Sequence, residues 1–190
     1  KSRKVFFQGF DTGRTIENQN IIIITPYTIP FYYQLALQKI PAEQMNQNLK
    51  EQWDSRYSSE EYIYGEEPNT YFKSVIDSLK PGKILLPGEG EGRNAVYAAS
   101  KGWKVTAFDI STEGRKKAIA LARQKKVEIE YLTGEFNDLD FADNQFECIS
   151  LLFVHMHHAE RTAYSGRLLK CLKPGGSMII EAFSKKQILN

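Results

Sequence analysis

The stretch LLPGEGEGRNA, residues 85–95, decides the fold. It overlaps the short apolar run KILLP (83–87) and sets glycines at alternate positions, Gly88, Gly90 and Gly92, with Glu89 and Glu91 between them. Glycine takes positive φ readily, and it lets a ligand approach where a Cβ would stand. The next segment, GRNAVYAASKG, has helical character and stops at Gly102, after which KVTAFDI reads as a second strand. Asp109 near its end stands nineteen residues beyond Gly90. At that spacing a strand-terminal acid reaches ribose hydroxyls in nucleotide folds.

Working outward, the alternation continues. STEGRKKAIALARQKK (111–126) predicts a helix with Ser111 as N-cap, and EIEYLTG a third strand. FECISLLFV is a fourth strand, continuously apolar as expected when helices cover both faces. RTAYSGRLLKCL predicts a helix ended by Lys173-Pro174-Gly175-Gly176, and SMIIEAF a fifth strand. The pattern predicts an α/β fold with a doubly wound, mostly parallel sheet, whose ligands lie beyond the carboxyl ends of the strands at the switch point.

Upstream, residues 46–80 predict a helical lead-in. Phe72, Val75, Ile76 and Leu79 fall on one helical face, Pro68 suits the first turn, and Leu79-Lys80-Pro81-Gly82 closes the helix. Residues 1–45 form an N-terminal extension in which no chemistry is visible. Within it, residues 21–40 hold Pro26, Pro30, Gln34 and Gln38, too broken to span a membrane, and predict a strand over 21–25 followed by a loop.

The 190 residues, 42% hydrophobic and 25% charged, suit one globular domain. A net charge of +2 argues against nucleic acid or anionic membrane as partner. The basic cluster Arg115, Lys116, Lys117, Arg123, Lys125 and Lys126 reads as a solvated helix face. Cys148 and Cys171 lack CxxC spacing and read as free, buried thiols in a reducing cytoplasm.

Gly90-x-Gly92-x-x-Ala95 also satisfies the dinucleotide pattern, so an NAD(P)- or flavin-dependent oxidoreductase is the rival reading. A pyrophosphate on a helix N-terminus needs backbone N–H groups and no adjacent anion. Glu89 and Glu91 would oppose it by about 1–4 kcal/mol per close pair. S-adenosylmethionine has no phosphate and carries a sulfonium and an ammonium, which a carboxylate favours. Glu89 is therefore expected to attract the methionine ammonium or sulfonium, while Glu91 either joins it or faces solvent.

ILLPGEGEGRNAVYAASKGWKVTAFDIS, with LLKCLKPGGSMIIEAF, resembles the class I S-adenosylmethionine-dependent methyltransferases. The lead-in WDSRYSSEEYIYGEEPNTYF is similar to a small bacterial branch grouped with tellurite-resistance and thiopurine-type methyltransferases. The resemblance covers residues 53–183. It implies a Rossmann-like methyltransferase domain over 46–190, with a lid over 46–80 and a cofactor-binding core over 83–190. The implied reaction moves a methyl group to a small-molecule acceptor by in-line displacement. Gly88, Glu89, Gly90 and Gly92 would wrap the methionine end, Asp109 would accept from the ribose, and Ile110 would pack beside adenine. Glu135 and Phe136 would meet the adenine edge, and Phe153, Val154 and His155 would border the methyl. Trp53, Tyr57, Tyr62, Tyr64 and Gly65 belong to the lid, and Arg93 is placed to reach a carboxylate of cofactor or substrate.

Two departures stand out. Leu86 occupies the position where the class usually has an acid, and the sheet of the family normally continues with a C-terminal antiparallel hairpin that this sequence lacks. Either the chain is a C-terminally incomplete fragment, or another segment covers the apolar edge of the fifth strand, for which the strand over 21–25 is the candidate. His155 is the candidate base, with His157 and His158 beside it. No metal is expected, because the HMHH run (155–158) has no Cys or carboxylate partner nearby. A cytoplasmic monomer or homodimer follows from this reading, and a cofactor-binding module without catalysis is the third alternative.

Overall fold

The computed structural model describes residues 4–8, 42–154 and 158–182, with side chains described for 47–154 and 163–182. In chain order the elements are β1 (Lys4–Gln8), α1 (Ala42–Tyr57), α2 (Thr70–Ile76), β2 (Lys83–Pro87), α3 (Arg93–Ser100), β3 (Lys104–Asp109), α4 (Thr112–Gln124), β4 (Glu130–Thr133), a 3₁₀ turn (Phe136–Asp138), β5 (Phe146–Leu152), α5 (His158–Cys171) and β6 (Leu172–Glu181). The sheet order is β1-β6-β5-β2-β3-β4. Every pairing among the described residues is parallel. The chain therefore runs outward from β2 through β3 to β4, then crosses back to β5 on the other side of β2. That reversal puts the switch point between the carboxyl ends of β2 and β5.

Strand β2 shows why its sequence is apolar without interruption. Ile84 and Leu86 face one cluster with Phe72, Val75 and Ile76 of the α2 region and Ala95 and Ala98 of α3. Leu85 faces the other, with Phe146, Ile149, Leu168 and Met178. The period of two thus feeds two cores, one under each helical layer. Cys148 and Cys171 are free and buried, and burial pushes the Cys148 thiol up to about 12.

Three features differ from expectation: the extent of α2, the start of β6 and the cover of its edge. Helix α2 begins after Asn69, whose Oδ1 accepts from Phe72 N at 2.9 Å, so the cap is Asn69 and Pro68 lies outside the first turn. It ends at Ile76, before Leu79. Strand β6 starts directly after α5, because the KPGG segment forms a wide irregularity: Phe146 pairs with Leu172, whereas Cys148 pairs with Ser177. Glu147, opposite that irregularity, pairs with Lys173 and accepts from Lys83 N at 2.6 Å. The third difference concerns the edge of β6. It is covered by β1, from Lys4↔Ser177 to Gln8↔Glu181, in place of the strand expected over 21–25, which lies outside the described residues. The run Val5-Phe6-Phe7 is β-branched and aromatic, the composition that pairs well on a sheet edge.

Candidate functional site

Strand β2 delivers the chain to the glycine turn at the switch point. Gly88, Gly90 and Gly92 adopt φ of 62°, 60° and 86°, the left-handed region closed to most side chains. Gly90 is held on both sides of its peptide. Its N–H donates to Asp109 Oδ2 at 2.9 Å, and its carbonyl accepts from the Tyr131 hydroxyl at 2.5 Å. Burial pushes the Tyr131 phenol well up, as do the nearby Asp109 and Glu89 carboxylates, so it remains a donor. The other oxygen of Asp109 accepts from Ser111 N at 2.9 Å. Asp109 is thus buried at the end of β3, tying the turn to the start of α4. Burial raises its carboxyl, an effect the bonds from Ser111 and Gly90 oppose and the Asp54 charge reinforces.

The two glutamates hold structure. Glu89 Oε1 accepts from the N–H groups of Asn94 and Ala95, each at 2.8 Å, and Oε2 lies 3.4 Å from Asn94 Nδ2. The carboxylate therefore caps the N-terminus of α3. Glu91 does not face solvent: it is 4% exposed. It pairs with Lys117 Nζ at 2.7 Å and accepts from Tyr64 N at 3.4 Å. Lys117 consequently departs from the solvated face predicted for its basic cluster.

Burial of the Glu89 carboxylate outweighs its hydrogen bonds and pushes it up from 4.5 to about 7. The folded chain then keeps a proton that the unfolded chain releases near 4.5. Stability from this group is complete at acid pH and declines as pH rises from about 4.5 to about 7. Glu89→Gln retains the accepting oxygen and removes the titration. Between pH 5 and 7.5, urea unfolding is expected to show the variant gaining about 2 kcal/mol relative to wild type. A constant difference across that range would contradict the assignment.

The lead-in folds over this turn. Asp54 of α1 accepts from Ser111 Oγ at 2.6 Å and Glu113 N at 3.1 Å, and it pairs with Lys50. Burial works to raise its carboxyl, but Lys50, Ser111 and the Glu113 N–H together hold it down to about 2. Tyr57, buried and stacked on Trp53 at 5.3 Å, lies against the turn: a Cβ built on Gly90 would be 2.7 Å from its hydroxyl oxygen. Tyr62 donates to Lys117 O at 3.0 Å. Tyr64 is exposed, with the Arg56 and Arg93 guanidiniums 5.5 and 5.7 Å from its ring centre. Arg93 also donates to Tyr64 O at 2.7 Å.

Other expected residues divide. Val154 meets the turn: a Cβ on Gly88 would stand 3.1 Å from its Cγ2. Phe153 has φ of 55° and donates its N–H to Glu181 O at 2.8 Å, bending the chain as it leaves β5. Ile110 and Glu135 are half-buried at the strand ends. Phe136 is placed differently from a ligand edge. It is 2% exposed within the second core, 4.5 Å from both the Tyr164 ring and the Arg167 guanidinium. His155 and His157 lie outside the described residues, as does the side chain of His158. Asp54, Asn69, Tyr131 and Glu181 were not singled out in the sequence. Asp54 and Asn69 stand in the W-D-x-x-Y and E-P-N runs that carried the resemblance, whereas nothing local marked Tyr131 or Glu181. A cavity of about 480 Å³ between Gly82, Trp103, Glu147 and Gly176 lies at the opposite pole and contains none of the expected residues. No helix among the described residues is long and apolar enough to cross a membrane.

Comparison with known proteins identifies the family and the fold. A demethylmenaquinone methyltransferase of Renibacterium salmoninarum is 28% identical over 113 residues, covering 58% of this chain and 46% of that protein. A ubiquinone biosynthesis O-methyltransferase of Rickettsia conorii is 29% identical over 114 residues, covering 60% of this chain and 39% of that protein. The chain thus spans less than half the length of these two curated relatives. The crystal structure of a SAM-dependent methyltransferase from Thiobacillus denitrificans, in complex with S-adenosyl-L-homocysteine, shares the fold. Its TM-score is 0.52 at 18% identity, over 65% of this chain and 52% of that one. Residues 85–180, more than half of the chain and including the whole glycine turn, match the family described as "Methyltransferase domain", and the chain belongs to that family.

Proposed function

We propose that this chain is a methyltransferase that uses S-adenosylmethionine and acts on a small-molecule acceptor. One observation carries the reading: the N-terminus of α3, where a dinucleotide fold seats its pyrophosphate, is already capped by Glu89. A nucleoside without phosphates fits such a turn, and one with diphosphates does not. The absence of a Cβ at Gly88 and Gly90 lets Val154 and Tyr57 pack directly against the turn, since a Cβ at either would press on those side chains.

S-adenosylmethionine supplies, when bound, a methyl group activated on a cationic sulfur. The chain's own work is to hold and enclose it. Gly88 and Gly90 line the turn with backbone alone, Gly92 lets α3 close on Ala118 of α4, and Asp109 would accept from the ribose hydroxyls with the lone pairs left to it. Ile110 and Glu135 border the adenine side, with Phe136 supporting from the core. Phe153 and Val154 border the methyl side. Trp53, Tyr57, Tyr64 and Arg93 close the lead-in over the turn, excluding water and fixing the line of attack. Positioning and a dry pocket can supply most of the acceleration for such a displacement. A base is required only where the acceptor is protonated, and His155, three residues past β5, is the proposed one.

The acceptor class is tested directly. The full chain is incubated with methyl-labelled S-adenosylmethionine and a panel of quinols, thiols and chalcogen oxyanions. The quinols follow the curated relatives, and the others follow the lead-in resemblance. Label is expected to move to one class with release of S-adenosylhomocysteine in equal amount. Cofactor binding without transfer to any member would favour the silent binding module.

A further inference from the structure

The polar side chains after the glycine turn grip the lead-in. Glu91 accepts from Tyr64 N, Arg93 donates to Tyr64 O, and Asn94 Oδ1 accepts from Asn69 N at 2.8 Å. Asn69 reaches furthest. Its Oδ1 caps α2 through Phe72 N, while its Nδ2 donates to Glu181 Oε2 at 2.7 Å, 112 residues along the chain. Glu181 is 8% exposed at the carboxyl end of β6, opposite Leu152 of β5. Burial raises its carboxyl, and the Asn69 bond and the Arg93 charge oppose that. Asn94 continues the path to Glu89 through its backbone N–H and its Nδ2. A hydrogen-bonded path, Glu181–Asn69–Asn94–Glu89, therefore runs across the carboxyl ends of β6, β5 and β2, joined at Glu181 by the Asn69 side chain and at Asn94 by the Asn69 backbone N–H.

We propose that Asn69 is a positioning residue for the cofactor: it sets the lead-in over the glycine turn by bonding the end of β6 and the start of α3 at the same time. This rests on the reading of the turn as a cofactor site. The Nδ2 donor is what distinguishes this role from helix capping. Aspartate caps a helix as well as asparagine does, so Asn69→Asp keeps the α2 cap and sets a carboxylate against Glu181. Adding Glu181→Gln restores the hydrogen bond with donor and acceptor exchanged.

The test is calorimetric titration of S-adenosylmethionine into the full chain as wild type, Asn69→Asp, Glu181→Gln and the double variant. Asn69→Asp is expected to weaken binding about tenfold or more. Glu181→Gln, able to turn its carbonyl toward Asn69, stays within about threefold of wild type, and so does the double variant. A double variant as weak as Asn69→Asp, or an Asn69→Asp chain that binds like wild type, overturns the proposal. Hydrogen exchange of the amides over 64–72, without cofactor, gives a second reading. Exchange is expected to speed up in Asn69→Asp and return in the double variant, and unchanged exchange in both counts against the link. Wild type failing to bind at all would sink the cofactor reading, while the exchange pattern would still decide the link.

Discussion

Alanine at Gly92 is expected to remove a large part of the stability of the fold. A Cβ built there would lie 2.4 Å from Ala118 Cβ and 2.7 Å from Ala118 Cα. Ala118 is fully buried in the middle of α4, so no flexible side chain can swing aside. Overpacking of this kind costs about 1–3 kcal/mol, and a left-handed φ adds about 1–2 kcal/mol for a residue with a Cβ. Their sum, about 2–5 kcal/mol, is a large share of the stability of a typical domain. Urea unfolding of Gly92→Ala against wild type measures it. Gly88→Ala is the contrast, because its Cβ would meet only the Val154 side chain at 3.1 Å. Equal midpoints for the two variants would mean that Gly92 does not set the approach of α3 to α4.

The second large effect is expected at Asp109. Alanine there leaves the N–H groups of Gly90 and Ser111 without their acceptor and removes the proposed partner of the ribose. Each buried donor left unpaired costs about 1–3 kcal/mol. Asp109→Ala is therefore expected to lower both the unfolding free energy and the affinity for S-adenosylmethionine, the latter about tenfold to a hundredfold. Asp109→Asn, which retains one accepting oxygen, falls between. An alanine variant that unfolds early yet binds cofactor at wild-type affinity would confine Asp109 to structure.

How much of this was legible before the fold is instructive at particular residues. The parallel sheet was legible because β2, β3 and β5 each report burial on two faces through largely apolar runs, broken only by Thr106 in β3 and by Glu147 and Ser150 in β5, and because the glycine turn and Asp109 punctuate them at a recognisable spacing. Ser111 was legible as a cap, since capping is a local event. Glu89 was legible as part of the turn, but its bonds to the N–H groups of Asn94 and Ala95 were not. Whether a carboxylate on a turn faces a ligand or folds back over its own helix depends on φ at Gly88 and Gly90, which composition does not specify. Glu181 and Tyr131 were not legible at all. Each acts on a partner distant in sequence, Asn69 and Gly90, and sits within an otherwise ordinary strand. The edge strand was misjudged for the same reason: Ile21 to Ile24 is the more apolar run, yet pairing beside β6 fell to residues 4–8.

The central claim is that Glu89, by capping α3, reserves the glycine turn for a nucleoside without phosphates. Calorimetric titration of the wild-type chain at pH 7.5 with S-adenosylmethionine and, separately, with NAD tests it most directly. Saturable binding of S-adenosylmethionine with no heat from NAD is the predicted result. Tighter binding of NAD than of S-adenosylmethionine would contradict it.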